Sequence, residues 1–297
     1  MPLRRIRPNV RRGGSVCGRR LTAVRDVAAI GCGESAWRSP ADHYVGVTPA
    51  AEGLLAGAGI LAGIVGTAGG TASLISYPAL LAVGLPPLPA NITNAVAFVA
   101  AWPGSALGSR PELRGQGRQL LRWAPLAVAG SAAGAGLLLV TPEGVFDQVV
   151  PFLLATAAVV LLLQPKISAW LDRRQGRSGR FVLPGGLIAA AAYDGYWGAG
   201  AGVMILALLM IATGQPLPRS NALKNMLLGI ADVTCCTLFI LYWPIDWAAT
   251  VPLAAGFLIG SAIGPTLARR LPPRAVRIIA ALAGLGLAIR LWAWQWS

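Results

Sequence analysis

The chain has 297 residues, of which 55% are hydrophobic and only 12% are charged, and its mean hydropathy is +0.62. This composition excludes a water-soluble enzyme and a disordered protein, and four cysteines are too few for a disulfide scaffold. The net charge of +14 is concentrated, because eight arginines fall within residues 1–25. Basic residues that flank apolar segments are typical of a protein in anionic lipid, so we expect a lipid bilayer as partner and no nucleic acid.

Residues 1–48 form a basic tail that we predict to be disordered. The tail has no apolar stretch of the length that a signal peptide requires. Its arginine-rich start, with no acidic residue before Asp26, is also typical of an organellar transit peptide. A non-native extension upstream of a start near Val47 is the simpler interpretation, and we favour it.

Ten hydrophobic segments follow the tail and predict an all-α polytopic membrane protein. A straight helix needs about 20 residues to cross a hydrocarbon layer roughly 30 Å thick, and the first, second, sixth and seventh segments are shorter. We expect those four to be half-helices or tilted helices. The segments lie at residues 50–66, 68–84, 90–109, 121–140, 146–164, 181–197, 199–213, 218–243, 247–268 and 274–294.

The second half of the chain repeats the first at an offset of 130 residues, without a gap. Such a duplication is typical of transporters. It divides the chain into membrane repeat 1 (49–165), a basic cytoplasmic linker (166–180) and membrane repeat 2 (181–297). The matched pairs are Gly70 and Gly200, Gly84 and Gly214, Pro86 and Pro216, Asn91 and Asn221, Pro142 and Pro272, and the stretches 130–134 (GSAAG) and 260–264 (GSAIG).

Each repeat holds five segments, and an odd number inverts the second copy relative to the first. Loop charges agree with this inversion, because 110–122 is basic whereas its counterpart at 244–247 is acidic. By the positive-inside rule, 110–122, 165–180 and 269–277 are cytoplasmic, and 141–147 and 244–247 are outside. Both termini are then outside, which conflicts with the basic tail, since the same rule would keep that tail inside.

Each repeat also carries a glycine-rich stretch near its second segment. Glycine there has two interpretations: it lets helices pack closely, or it marks a break that exposes backbone amides. The first stretch is 63–70 (GIVGTAGG), followed by Pro78, 84–87 (GLPP) and 90–94 (ANITN); the second is 193–202 (YDGYWGAGAG), followed by Gly214 and 221–225 (NALKN).

These two motifs together resemble the sulfite exporter TauE/SafE family, and the resemblance covers residues 50–295. The first motif departs from the family pattern at Thr67 and Ala68, where the family is often richer in glycine. The resemblance implies a multi-pass secondary transporter in the cell (cytoplasmic) membrane. Its substrate would be a small sulfur-containing anion, such as sulfite or an organosulfonate, and the direction would be export.

An oxyanion near the middle of a bilayer needs fixed hydrogen-bond donors. Helices that start at 69–71 and 200–202 would each present free N–H groups and about half a positive charge. Inverted copies would bring the two breaks together near the midplane. Asparagines after the proline turns are alternatively helix caps. The predicted substrate-binding residues are Gly69, Gly70, Thr71, Asn91, Thr93, Asn94, Gly200, Gly202, Asn221, Lys224 and Asn225, with Ser73 as a further hydroxyl candidate.

Lys224 lies five residues past a proline turn and therefore within the membrane, where an ionised lysine requires a partner. That partner is either the substrate anion or a structural carboxylate such as Asp232, reached through another helix or water. Snorkelling of the side chain to the surface is the third alternative.

Asp194 and Asp232 are the predicted proton-coupling residues, because carboxyl groups buried among spans are typical of proton relays. Asp194 precedes the second glycine break and is alternatively a cap of the helix that follows. Near it, Tyr196 and Trp197 are interpreted as packing residues, with lining of the anion path as the alternative.

Several other functions are disfavoured. The only histidine, His43, is in the tail, and the cysteines show no metal-ligand spacing, so we expect no metal and no cofactor. No lysine follows a P-loop pattern, and an intramembrane enzyme would need Asp194 and Asp232 to face each other. A passive anion channel is the main alternative to a carrier, and no oligomeric state is predicted. The tryptophans near segment ends, interpreted as interfacial anchors, are Trp102, Trp123, Trp243, Trp247, Trp292, Trp294 and Trp296.

Overall fold

The structure is a computed structural model that describes residues 48–172 and 179–268, with isolated helical positions at 282, 286 and 289. The described part is all-helical and contains no strand, which confirms the all-α part of the predicted fold class. The predictions for the tail before residue 48, the linker core at 173–178 and the loop at 269–277 lie outside the described residues, as does nearly all of the tenth segment.

Eleven helices make up the described part of the chain, and they are numbered here in chain order. They are α1 (Pro49–Gly69), α2 (Ser73–Ala82), α3 (Pro87–Phe98), α4 (Ala101–Gly108), α5 (Arg110–Leu113), α6 (Gly117–Val140), α7 (Glu143–Asp172), α8 (Gly179–Tyr196), α9 (Ala201–Thr213), α10 (Leu217–Tyr242) and α11 (Trp247–Ala268).

Four described helices, α1, α6, α10 and α11, are long and apolar enough to cross a membrane. Their outer surfaces suit lipid, because large apolar side chains are exposed there, with Leu121 at 77% and Val140 at 74%. The prediction that the first segment is short was wrong: α1 has 21 residues. The second and seventh segments are indeed short, since α2 has 10 residues and α9 has 13.

The third predicted segment is divided in two, which the sequence analysis did not anticipate. A turn at Val99 and Ala100 separates α3 from α4. Pro103 explains the division, because proline lacks an N–H group and its ring clashes with the carbonyl four residues earlier, here that of Val99. The counterpart at position 233 is valine, and α10 runs through this position without a break.

Both glycine-rich stretches contain a helix break. Gly70 ends α1 with a φ of 74° and donates its N–H to the carbonyl of Gly66 at 2.7 Å. Gly200 precedes α9 with a φ of 90°. Both values lie in the left-handed region, where glycine avoids the strain of a side chain. The predicted break is therefore present in each copy, although α2 begins at Ser73, slightly later than expected.

Other glycines let helices pack closely, so both interpretations of the motif apply. A Cβ atom on Gly63 of α1 would lie 2.8 Å from the carbonyl oxygen of Phe257 on α11. On α6, a Cβ atom on Gly130 would contact the carbonyl oxygen of Ile188 on α8. The first helix of each copy thus packs against a long helix of the other copy, and the two halves interlock.

Candidate functional site

The two helix breaks meet. A Cβ atom on Gly70 would lie 2.8 Å from the Cα atom of Gly202, and one on Gly202 would lie 2.6 Å from the Cα atom of Gly70. Only residues without a side chain allow two backbones to approach this closely. The start of α9 therefore lies directly against the end of α1.

Asparagines from one copy donate to backbone carbonyl groups at the helix breaks of the other copy, where the last turn of the helix lacks intrahelical donors. Asn91 on α3 donates its Nδ2 atom to the carbonyl of Tyr196, the last residue of α8, at 3.0 Å. Its counterpart Asn221 on α10 donates to the carbonyl of Thr67 at 3.0 Å, and Asn225 donates to the same carbonyl at 3.4 Å. These asparagines do not cap their own helices, as the alternative interpretation held; they satisfy orphan C-terminal carbonyls on a neighbouring helix.

A cavity of about 50 Å³ lies where the breaks meet. By this measure it has room for roughly four water molecules. Its polar lining consists of amide, hydroxyl, indole and carboxyl groups, and no lysine or arginine is among the described residues that line it. The lining residues that matter below are Thr67, Gly70, Ser73, Asn91, Asn94, Trp102, Ser105, Asp194, Trp197, Gly202, Asn225 and Asp232.

The cavity draws on both copies at equivalent positions. Thr67 and Trp197 are separated by the repeat offset, and so are Trp102 and Asp232, and all four line the cavity. Ala95 and Asn225 form a further such pair. Equivalent positions in the two copies therefore face one shared volume, but they carry different side chains.

Both predicted proton-coupling residues line this cavity. Asp232 is 6% exposed, and the Oδ2 atom of Asp194 is buried with no hydrogen-bond partner in the described part of the chain. Asp194 lies in the last turn of α8, not at the start of α9, whose N-cap Gly200 has no side-chain hydrogen bond. The capping interpretation of Asp194 was therefore wrong.

Asn94 and Ser73 form a polar pair at the cavity wall. The Nδ2 atom of Asn94 donates to the hydroxyl oxygen of Ser73 at 3.2 Å. The Oδ1 atom of Asn94 is buried and accepts no hydrogen bond from the described residues. The pair lies close to the N-terminus of α2, which begins at Ser73 and has no side-chain cap.

Lys224 is fully buried but does not line the cavity. Its Nζ atom has no hydrogen-bond partner among the described residues. Snorkelling to the surface was therefore a wrong interpretation, and no described carboxylate hydrogen-bonds the ammonium group. Lys224 occupies the position in repeat 2 that Asn94 occupies in repeat 1.

The predicted substrate-binding residues divide into two groups. Five line the cavity: Gly70, Asn91, Asn94, Gly202 and Asn225. Five do not: Thr71, Thr93, Gly200, Asn221 and Lys224. The eleventh, Gly69, is the last residue of α1. Of the second group, Thr71 and Thr93 are buried at 1% and 2% exposure, and Gly200 and Asn221 shape the breaks.

Trp102 lines the cavity although its sequence position did not predict this. A tryptophan near the end of a predicted 20-residue segment is usually an interfacial anchor. Because a turn at Val99 and Ala100 interrupts the helix, Trp102 instead lies at the start of α4 and lines the cavity. Pro103 was the available signal, since a proline inside an apolar segment predicts a break just before it.

Comparison with known proteins gives consistent matches. The model of the family described as sulfite exporter TauE/SafE matches residues 55–291. The chain is 29% identical to the probable membrane transporter protein YfcA of Escherichia coli K12 over 228 residues, which cover 74% of this chain and 82% of that protein. It is 24% identical to the probable membrane transporter protein ORF9 of a Sinorhizobium species over 235 residues, covering 79% and 89%. No solved structure matches the chain significantly.

Proposed function

Since the chain belongs to the sulfite exporter TauE/SafE family and is a multi-pass membrane transporter, we propose that it moves small sulfur-containing oxyanions such as sulfite across the cytoplasmic membrane, together with protons. The main supporting observation is the cavity at the meeting point of the two breaks. That cavity offers uncharged donors at the place where two helices begin without side-chain caps.

The donors suit an anion that must be bound and then released. The N-termini of α2 and α9 each carry about half a positive charge. In their first turns, the N–H groups of Leu74, Ile75, Ala201 and Val203 already donate to nearby carbonyls. Gly202 and Ser73, in the first turns of these helices, line the cavity, and Asn94 stands beside them. An oxyanion held by partial charges and amides is compensated without a permanent ion pair, which allows it to leave.

The two carboxyl groups are the basis of the proposed proton coupling. Two like charges about 5 Å apart repel each other by about 3 kcal/mol at an effective dielectric constant near 20. No described basic side chain in the cavity offsets this repulsion between the anion and Asp194 or Asp232. Protonation of the carboxyl groups removes it, so proton binding and anion binding favour each other.

Cavity size favours the smaller members of the substrate class. In a volume that holds roughly four water molecules, sulfite leaves part of the water in place, whereas the carbon chain of an organosulfonate displaces more of it. A binding screen over sulfite, sulfate, thiosulfate, sulfoacetate and taurine tests this order. We expect sulfite to bind most tightly and taurine least, and the reverse order would contradict the size argument.

Flux in proteoliposomes tests the transport mechanism against a passive channel. With the purified protein and sulfite, an imposed proton gradient is expected to drive accumulation of the anion against its own gradient. A protonophore should abolish that accumulation. Downhill flux that is independent of the proton gradient would instead identify an anion channel. The family description suggests export. When an anion moves together with protons, the sum of the proton and anion gradients determines the direction of net flux.

A further inference from the structure

We propose that the indole N–H groups of Trp102 and Trp197 are a pair of hydrogen-bond donors that binds the oxyanion in the cavity. The inference rests on the proposed function and names the groups that would select its substrate. Both side chains line the cavity. Both Nε1 atoms are buried and have no hydrogen-bond partner among the described residues.

Trp102 is held in place by a glycine on the helix opposite. A Cβ atom on Gly229 of α10 would lie 2.6 Å from the Nε1 atom of Trp102 and closer still to two carbons of its ring. The indole therefore packs against the backbone of α10 at Gly229, where any residue larger than glycine would clash with the ring. Its orientation is fixed, and its N–H group has nothing in the described wall to donate to.

Trp197 is held by aromatic side chains. It is 3% exposed, and its ring centroid lies 5.0 Å from that of Tyr77, at an interplanar angle of 71°. The ring of Phe146 lies 5.9 Å away on another helix. The edge-to-face contact with Tyr77 and the tilted contact with Phe146 hold the indole in the second break, between α8 and α9. Its N–H group is thus preorganised as well.

An unpaired buried donor is costly, about 1–3 kcal/mol for each group. Two such donors around one cavity indicate a ligand that accepts hydrogen bonds. Indole is a donor only and carries no charge, so it favours a bare oxygen of an oxyanion over a group that carries N–H. It also adds no full positive charge that would slow release.

Divergence between the two copies argues against a purely structural role for these tryptophans. The counterpart of Trp102 in repeat 2 is Asp232, and the counterpart of Trp197 in repeat 1 is Thr67. The equivalent positions of the other copy therefore carry small polar side chains instead of indoles. Each copy contributes one of the two indoles, from positions that are not equivalent in the repeat, and both residues line the same cavity.

Phenylalanine substitutions test the proposal, because phenylalanine keeps an aromatic ring but has no donor. Trp102→Phe and Trp197→Phe are each expected to weaken sulfite binding by roughly tenfold, and the double variant by roughly a hundredfold. Calorimetry on the purified full chain measures the affinity. Trp247→Phe is the matched control, because Trp247 is 51% exposed and does not line the cavity. This variant should bind sulfite like the unmodified protein.

A second replacement separates loss of the donor from loss of packing. Incorporation of 3-benzothienylalanine at position 102 or 197 keeps the bicyclic shape and exchanges the N–H group for sulfur. The proposal expects the same loss of sulfite affinity with an unchanged melting temperature. Unchanged affinity in these isosteric variants overturns the proposal while the proposed function stands. Failure of the unmodified protein to bind any sulfur oxyanion overturns the proposed function itself, and the proposal with it.

Discussion

At the scale of single residues, the cavity is distinguished by two carboxyl groups without a basic neighbour in the described wall. In a soluble binding site an arginine would usually balance an oxyanion. Here Asp194 and Asp232 stand where the anion is proposed to bind. In the proposed mechanism, protons compensate the carboxylates, and this ties proton uptake to anion uptake.

Asp194→Asn is the first test of that coupling. Asparagine keeps the shape of the side chain and cannot exchange a proton. We expect the variant to bind sulfite measurably but to accumulate less sulfite in proteoliposomes at the same imposed proton gradient. Glu52→Gln, which changes an exposed carboxyl group on α1, is the control and should transport normally. Full proton-driven flux in Asp194→Asn would remove this residue from the mechanism.

Asp232→Asn distinguishes one coupled proton from two. If both carboxyl groups must be neutral for the anion to bind, each single variant carries one proton fewer for each anion. The reversal potential of sulfite flux, measured over a series of imposed proton gradients, gives the stoichiometry. We expect Asp232→Asn to lower it. An unchanged stoichiometry would assign the coupling to Asp194 alone.

At the scale of helices, the contact between the breaks depends on Gly70. Alanine at this position combines a left-handed φ with a Cβ atom only 2.8 Å from the Cα atom of Gly202. We expect Gly70→Ala to push the breaks apart and abolish sulfite binding. Gly214→Ala is the matched control, since Gly214 has a similar φ of 62° with open space around it. It should cost about 1–2 kcal/mol of stability and leave binding intact; equal binding in both variants would contradict the prediction.

The helix breaks at the two glycine motifs could be predicted from the sequence, whereas other features of the site could not. Glycine clusters in short segments, repeated at a fixed offset, pointed to Gly70 and Gly200, and both have a positive φ. The division of the third segment was missed, because an apolar segment that contains one proline has the same hydropathy as an intact span. The cavity position of Trp102 was missed for the same reason. Which asparagine binds which carbonyl depends on tertiary packing between copies, and no local pattern encodes it.

Asn91 and Asn221 offer a prediction that separates stability from binding. Each donates to the carbonyl of a broken helix. Asn91→Ala leaves the Tyr196 carbonyl without this donor, at a cost of about 1–3 kcal/mol, whereas Asn221→Ala leaves the Thr67 carbonyl with only the longer bond from Asn225 and costs less. Thermal unfolding should show a lower melting temperature for both. Only Asn91 lines the cavity, so only Asn91→Ala should also weaken sulfite binding. Equal affinities in the two variants would show that the Asn91 amide does not contact the anion.

At the scale of the whole molecule, the two copies are unequal in charge. Asn94 lines the cavity, whereas Lys224, at the equivalent position of repeat 2, is fully buried without a hydrogen-bond partner among the described residues. We propose that the two copies, which the sequence predicts to be inverted, exchange their roles when access alternates between the two sides of the membrane. We therefore expect Lys224 to line the cavity in the opposite state, where the site would be cationic and would bind the anion more tightly.

This asymmetry predicts a sided effect of Lys224→Gln. The variant should raise the KM for sulfite by roughly tenfold at one face of the membrane, since a hydrogen bond to a charged group is lost there, and leave KM at the other face unchanged. Initial rates in vesicles of both orientations measure the two values. The double variant Asn94→Lys with Lys224→Asn moves the charge to the other copy and should exchange the two faces. Equal changes on both sides would mean that Lys224 stabilises the fold in both states, and the exchange of roles between the copies would have to be abandoned.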